Sequence, residues 1–174
     1  MLGPKTWIVA LAAVAGAACS PTLNWREFVP EGSGLTATFP CRPDRETRDV
    51  VLAGSSTSMT LLACSAGGAT YALSFADVAD PARITATLGA LRTSAVANVQ
   101  GVAPRVAPLR IKGMTANEQA ARIAVSGRRP DGAALQEQAA FFTRGQRVYQ
   151  ATVIGAQPVP QSAETFFGGL KFPE

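Results

Sequence analysis

The spacing of apolar residues changes period along this chain, and that change limits the folds open to it more than any motif does. Between residues 35 and 75 the period is 2. Leu35, Ala37 and Phe39 alternate with Thr36 and Thr38 until Pro40 stops the run. Segments 46–52 and 57–65 flank the turn-rich Gly54-Ser55-Ser56, and segment 69–75 follows Gly67-Gly68 with Tyr71, Leu73 and Phe75 on one face. Alternation at this length reads as half-buried strands, and the tight turns between them predict a four-stranded antiparallel meander. At Asp80-Pro81 the period becomes 3.6. A capping carboxylate followed by Pro at the first helical position is a helix start. Ile84, Leu88, Leu91 and Ala95 mark one face of the predicted helix 81–100, and Gly101 closes it. Arg83 and Arg92 fall on its solvent side.

Strands then resume, at 105–111, 118–126, 134–143 and 147–154. The loop 127–132 carries Pro130 and Asp131-Gly132 where a turn wants them, and Arg144-Gly145-Gln146 joins the last two strands. A short closing helix, 162–167, is packed down by Phe166 and Phe167, with Leu170 and Phe172 sealing the end. The reading is an α+β fold: an antiparallel β-sheet covered by one main helix and a short C-terminal helix. No internal repeat or low-complexity linker divides residues 25–174, which therefore form a single globular α+β domain.

The first twenty residues, MLGPKTWIVALAAVAGAACS, have the layout of a bacterial export signal. Lys5 supplies a positive start, an apolar run follows, and Ala15, Gly16, Ala17 and Ala18 lead into Cys19. Gly16-Ala17-Ala18 before Cys19 is similar to the lipobox of bacterial lipoproteins, with Gly16 where Leu is usual. The expectation is a lipoprotein signal peptide at 1–18, a lipidated tether at 19–24, and a lipid bilayer held through acylated Cys19. One acyl chain binds a bilayer only marginally and two or more bind it stably. Ser20 is not the Asp that marks inner-membrane retention, so the expected address is the outer membrane, facing the periplasm. Two alternatives stay open. Cleavage at Ala15-Gly16-Ala17 would release a soluble periplasmic or secreted protein. A retained membrane helix is the other, although residues 7–18 are short of the roughly 20 that a span needs.

Cysteine arithmetic favours lipidation. With Cys19 acylated, Cys41 and Cys64 are an even pair in an oxidising compartment, whereas release after Ala17 leaves three thiols and one unpaired. The pair is expected as a disulfide tying the end of the first strand to the third. It lacks C-x-x-C spacing, so its reading is structural, not redox-active.

Composition removes whole classes of chemistry. The 174 residues include no histidine, which rules out Ser-His-Asp and Cys-His arrangements, His-ligated zinc and an imidazole base. No nucleophile elbow, P-loop, calcium loop or Gly-rich nucleotide turn occurs. The 12 carboxylates are thinly spread, which leaves paired-carboxylate chemistry without an obvious cleft. The expectation is no enzyme, no cofactor and no metal. The formal charge of +4 includes Lys5, and basic residues are scattered among acids without aromatics between them, so no nucleic-acid partner is expected. Arg42, Asp44, Arg45, Glu46, Arg48 and Asp49 read as a self-compensating strand edge that discourages edge-to-edge pairing, with an anion or lipid-headgroup site as the alternative. Arg128-Arg129 reads as a solubilising hairpin tip, with contact to anionic lipid as the alternative. Asp80 reads as a helix cap, and Trp25 and Tyr149 as core aromatics. Asp77 with Asp80 would need several more oxygens to hold calcium.

Three segments carry a family resemblance. GLTATFPCRPDRETRDV, TYALSFADV running into a helix, and FFTRGQRVYQATVIGA followed by AETFFGGLKF resemble the PsbP-like fold, which DcrB-type periplasmic lipoproteins also adopt. Gly168-Gly169 stands where that family usually has Ser-Phe. The resemblance implies an antiparallel sheet sandwiched between helices, and it brings no catalytic residue with it. Many functions share this fold. The functional expectation is a membrane-anchored, non-catalytic binding or assembly module that meets an envelope protein. The alternative is a small-ligand carrier with a pocket between the sheet and helix 81–100.

Overall fold

The computed structural model describes residues 22–157 and 160–173; residues 1–18, expected as a signal peptide, and Cys19 lie outside them. In chain order these residues form β1 (Arg26–Phe28), β2 (Ala37–Phe39), β3 (Asp44–Leu52), β4 (Ser55–Ala66) and β5 (Ala69–Asp77). A 3-10 turn at Pro81–Arg83 leads into α1 (Ile84–Asn98), followed by β6 (Arg105–Pro108), β7 (Ala121–Arg128), β8 (Ala134–Arg144), β9 (Arg147–Gly155) and α2 (Pro160–Gly168). Seven strands make one sheet in the order β3-β4-β5-β9-β8-β7-β6, every neighbouring pair antiparallel. The fold is α+β, with one main helix and a short C-terminal one.

Turn chemistry sets the register. Leu52 pairs with Ser55 and Ala66 with Ala69, so two-residue loops join β3 to β4 and β4 to β5. Both residues of each loop have positive φ: 46° and 79° at Ala53-Gly54, 60° and 78° at Gly67-Gly68. That is the backbone a tight hairpin requires. Ala53 adopts it at a steric cost that glycine would not carry. Its carbonyl and the Ser55 hydroxyl are both gripped by the Arg83 guanidinium. Arg83 thus does not face solvent as its helical position suggests. The 3-10 start turns it toward the hairpin, where it finds two acceptors.

Alternation along β8 and β9 divides the core in two. Ala139, Phe141 and Val148 face α1, packing on Leu88, Leu91 and Ala95. Ala140, Phe142, Tyr149 and Ala151 face the other way, against Ala163, Phe166 and Phe167 of α2. The two helices therefore lie on opposite faces of the sheet. Asp80 caps the 3-10 turn as expected, its carboxylate accepting from the Ala82 amide at 3.0 Å. Thr87 joins the buried face of α1, while Ile84 is only half-buried.

The first predicted strand is not part of the meander. β2 pairs with β1 in a separate two-stranded sheet, Arg26 opposite Phe39 and Phe28 opposite Ala37. Leu35, Ala37 and Phe39 are fully buried in the α2-side core. The edge strand β3, beside which a fourth meander strand would lie, presents an almost wholly exposed row of alternating charges. An apolar strand gains more by lying over the apolar face than by pairing with such an edge. The Cys41–Cys64 disulfide forms, with Cα atoms 6.0 Å apart, inside the range such a bond allows. Cys41, however, sits in the bend after β2, so the bond joins the small sheet to the large one instead of two strands of one sheet.

Two further boundaries differ. β6 stops at Pro108, because proline has no amide for the ladder, and Ile111 turns into the core. β7 begins at Ala121, since Asn117 makes a turn in which its side chain accepts from the Gln119 amide at 2.9 Å. The end of α1 rests on Gly127, where an added Cβ would lie 2.1 Å from the Val99 carbonyl oxygen. That oxygen accepts from the Arg128 amide at 2.8 Å, a contact only glycine permits.

Candidate functional site

The small sheet creates a groove where it meets the large one. β1, the Cys41–Pro43 bend and β4 enclose about 610 Å³ lined by Asn24, Arg26, Glu27, Phe28, Cys41, Arg42, Pro43 and Leu62. Phe28, Pro43 and Leu62 supply its apolar floor, and Cys41 holds the bend in place through its bond to β4. Phe28 is fixed by its ring contact with Phe39, centroids 5.7 Å apart. Glu27 on the rim is neutralised by Lys171 at 2.8 Å. The C-terminal segment that brings Lys171 there is clipped by its own backbone, Thr36 N–H donating to the Lys171 carbonyl at 2.8 Å.

The ion pairs formed among the described residues engage Arg45, Arg122, Arg147 and Lys171. Arg26 and Arg42, both exposed at the groove, have no carboxylate partner among those residues. Asp44, the acid nearest to Arg42 along the chain, is opposite Ala63 in the register, whereas Leu62 pairs with Arg45. Strand alternation therefore turns Asp44 to the other face of the sheet from Leu62.

The sequence-derived candidates disperse. Arg45, Glu46, Arg48 and Asp49 lie exposed on the edge strand β3, as a solvated edge would. Asp77 is held by Arg147 through two bonds of 2.6 and 2.5 Å, which keep its carboxyl below the usual range. Arg147 also donates to the Gly32 carbonyl, and the buried Tyr149 hydroxyl donates to the Ser33 carbonyl at 2.6 Å. This cluster ties the loop before β2 onto the sheet and leaves Asp77 committed to structure. Arg128 folds back on its hairpin, donating to the Gly132 carbonyl at 3.1 Å. Trp25 is half-buried, edge-on to Tyr71. No group of three or more potential metal-ligating side chains forms among the described residues, and no helix among them is long and apolar enough to cross a membrane. Between α1 and the sheet, where a ligand pocket was one expectation, Leu88, Leu91, Ile123 and Phe141 are packed together; open grooves flank the two ends of the helix.

The groove was missed in the sequence because β1 is only three residues long and its apolar content is a single Phe28. A second missed residue is Glu137, buried on β8 between Leu135 and Ala139 and opposite Val125 and Ile154. Its signal was available: alternation along 135–141 places it on the inward face. Burial pushes the Glu137 carboxyl up to about 7 from an ordinary value of 4.5. Between those values the folded state keeps a proton that the unfolded state has released. Stability from this group is greatest at low pH and declines as pH rises through 7. Glu137→Gln is therefore expected to gain on the order of 2 kcal/mol over the parent at about pH 8 and nothing at about pH 4. Denaturant titrations at both pH values check this, and a difference that does not vary with pH would refute it.

No family model matches this chain, and no curated protein matches it closely enough to count as a relative.

Proposed function

We propose that this chain is a membrane-anchored envelope lipoprotein of the PsbP-like kind, facing the periplasm from the outer membrane, whose folded domain is a non-catalytic binding or assembly module. The observation that carries this reading is the position of the groove. Asn24 lines it, and only four residues separate Asn24 from Cys19. Fully extended, that connection reaches about 17 Å, so an acylated Cys19 would hold the groove against or close to the bilayer. A disulfide that braces the groove suits an oxidising compartment. The absence of histidine leaves binding as the economical use of such a surface.

Mass spectrometry of the native protein tests the anchor. The expected result is an N-terminal Cys19 carrying acyl chains. A Cys19→Ala chain should lose those masses and pass from the detergent phase to the aqueous phase with its Tm unchanged. A free N-terminus at Ala18, or an unmodified Cys19, would count against the proposal.

A further inference from the structure

We infer that the groove between β1, the Cys41 bend and β4 binds the headgroup of an anionic phospholipid, an inference that rests on the membrane-facing reading above. Arg26 and Arg42 both line the groove, and neither is spoken for by a carboxylate among the described residues. The other charges nearby are already balanced or turned away. Glu27 is paired with Lys171, Arg45 is bound to Glu31, and Asp44 points to the opposite face of the sheet. What remains is a local excess of two guanidiniums over an apolar floor of Phe28, Pro43 and Leu62.

That pairing of chemistries matches one kind of ligand. A phosphodiester offers planar pairs of oxygens that a guanidinium fork engages through two charge-assisted hydrogen bonds. The glycerol backbone and the first methylenes of the acyl chains would then lie along Phe28 and Leu62. The volume is in the range of small-ligand sites, and its open side suits a ligand that stays partly in its bilayer. Basic residues held near an anionic leaflet are attracted to it, and the short tether would keep these two within reach.

Calorimetric titration of the purified chain with short-chain phosphatidylglycerol, kept below its micelle concentration, tests the inference. Phosphatidylcholine of the same chain length is the comparison. Phosphatidylglycerol is expected to bind about tenfold or more tightly than phosphatidylcholine. The double variant Arg26→Glu/Arg42→Glu should lose that preference with no change in Tm, while Arg128→Glu/Arg129→Glu, at a distant hairpin tip, should keep it. Equal binding of the two lipids, no effect of the groove substitutions, or an equal loss from the hairpin-tip pair would each overturn the inference. So would capture of an acidic peptide by a groove that ignores the lipid. Because the probe is monomeric, its binding does not depend on Cys19. An acylated Cys19 with no headgroup preference removes this inference alone, and an unmodified Cys19 with the preference intact removes only the anchor.

Discussion

Replacing Phe166 by Ala is expected to lower the stability of the domain by about 3–5 kcal/mol, the usual cost of truncating a fully buried aromatic. Phe166 is the residue through which α2 closes the core. Its ring is edge-on to Phe39 at 5.2 Å and to Tyr71 at 5.5 Å, so it touches both the small sheet and the large one. Neither neighbour can easily fill the space it would leave. Phe39 is held by Phe28 and Tyr71 by Trp25, each through a further ring contact. Edge-to-face pairs of this kind add to the burial itself. Phe167, one residue on, keeps a slightly exposed ring under the Arg122 guanidinium at 4.3 Å, so Phe167→Ala should cost less. Equilibrium denaturation with an unchanged m-value is the measurement. A loss of less than about 1 kcal/mol for Phe166→Ala would mean that α2 does not dock against this face.

Removing the Cys41–Cys64 bond by a double Ser substitution is expected to cost about 2–4 kcal/mol without abolishing folding. The two cysteines are 23 positions apart, and in the chain-entropy account closing a loop of that length stabilises by about 3 kcal/mol. The remaining core is extensive, since the contacts of β5, β8 and β9 do not depend on the bond. The loss should also be uneven. The bond is the covalent link between the β1–β2 sheet and β4, so amide exchange in β1 and β2 should speed up more than in β8 and β9. Loss of phosphatidylglycerol binding should accompany it, because Cys41 shapes the groove. Free-thiol labelling of both cysteines in protein isolated from its native source without reductant would contradict this account.

Glu137 and Arg83 show how far local pattern carries. Period-2 alternation along β8 was enough to place Glu137 inward, yet the cost of burying it depends on Val125 and Ile154, which other strands bring opposite. Its place on the helix alone puts Arg83 toward solvent. Its actual partners, Ala53 and Ser55, are thirty and twenty-eight positions earlier in the chain. They become neighbours only once β5 carries the chain back past the β3–β4 hairpin. Asp80 needed no such context, because a capping carboxylate acts on the amide two residues ahead.

The chain alone determined what depends on near neighbours: the tight turn at Gly67-Gly68, the helix start at Asp80, and the α+β class that follows from the change of period. Counting cysteines gave the pairing of Cys41 with Cys64, whereas the turn read at Gly54-Ser55-Ser56 falls at Ala53-Gly54, with both serines in the β4 ladder. Alternation also said correctly that Leu35, Ala37 and Phe39 are buried. It did not say against what, because a period of 2 marks the apolar side of a strand without naming the surface that covers it. Only the assembled molecule decided that this strand lies across the sheet instead of along its charged edge. The groove exists because of that choice. Its walls come from β1, from the bend at Cys41 and from Leu62 on β4, segments that meet only after the large sheet has formed and the disulfide has pinned the small one against it.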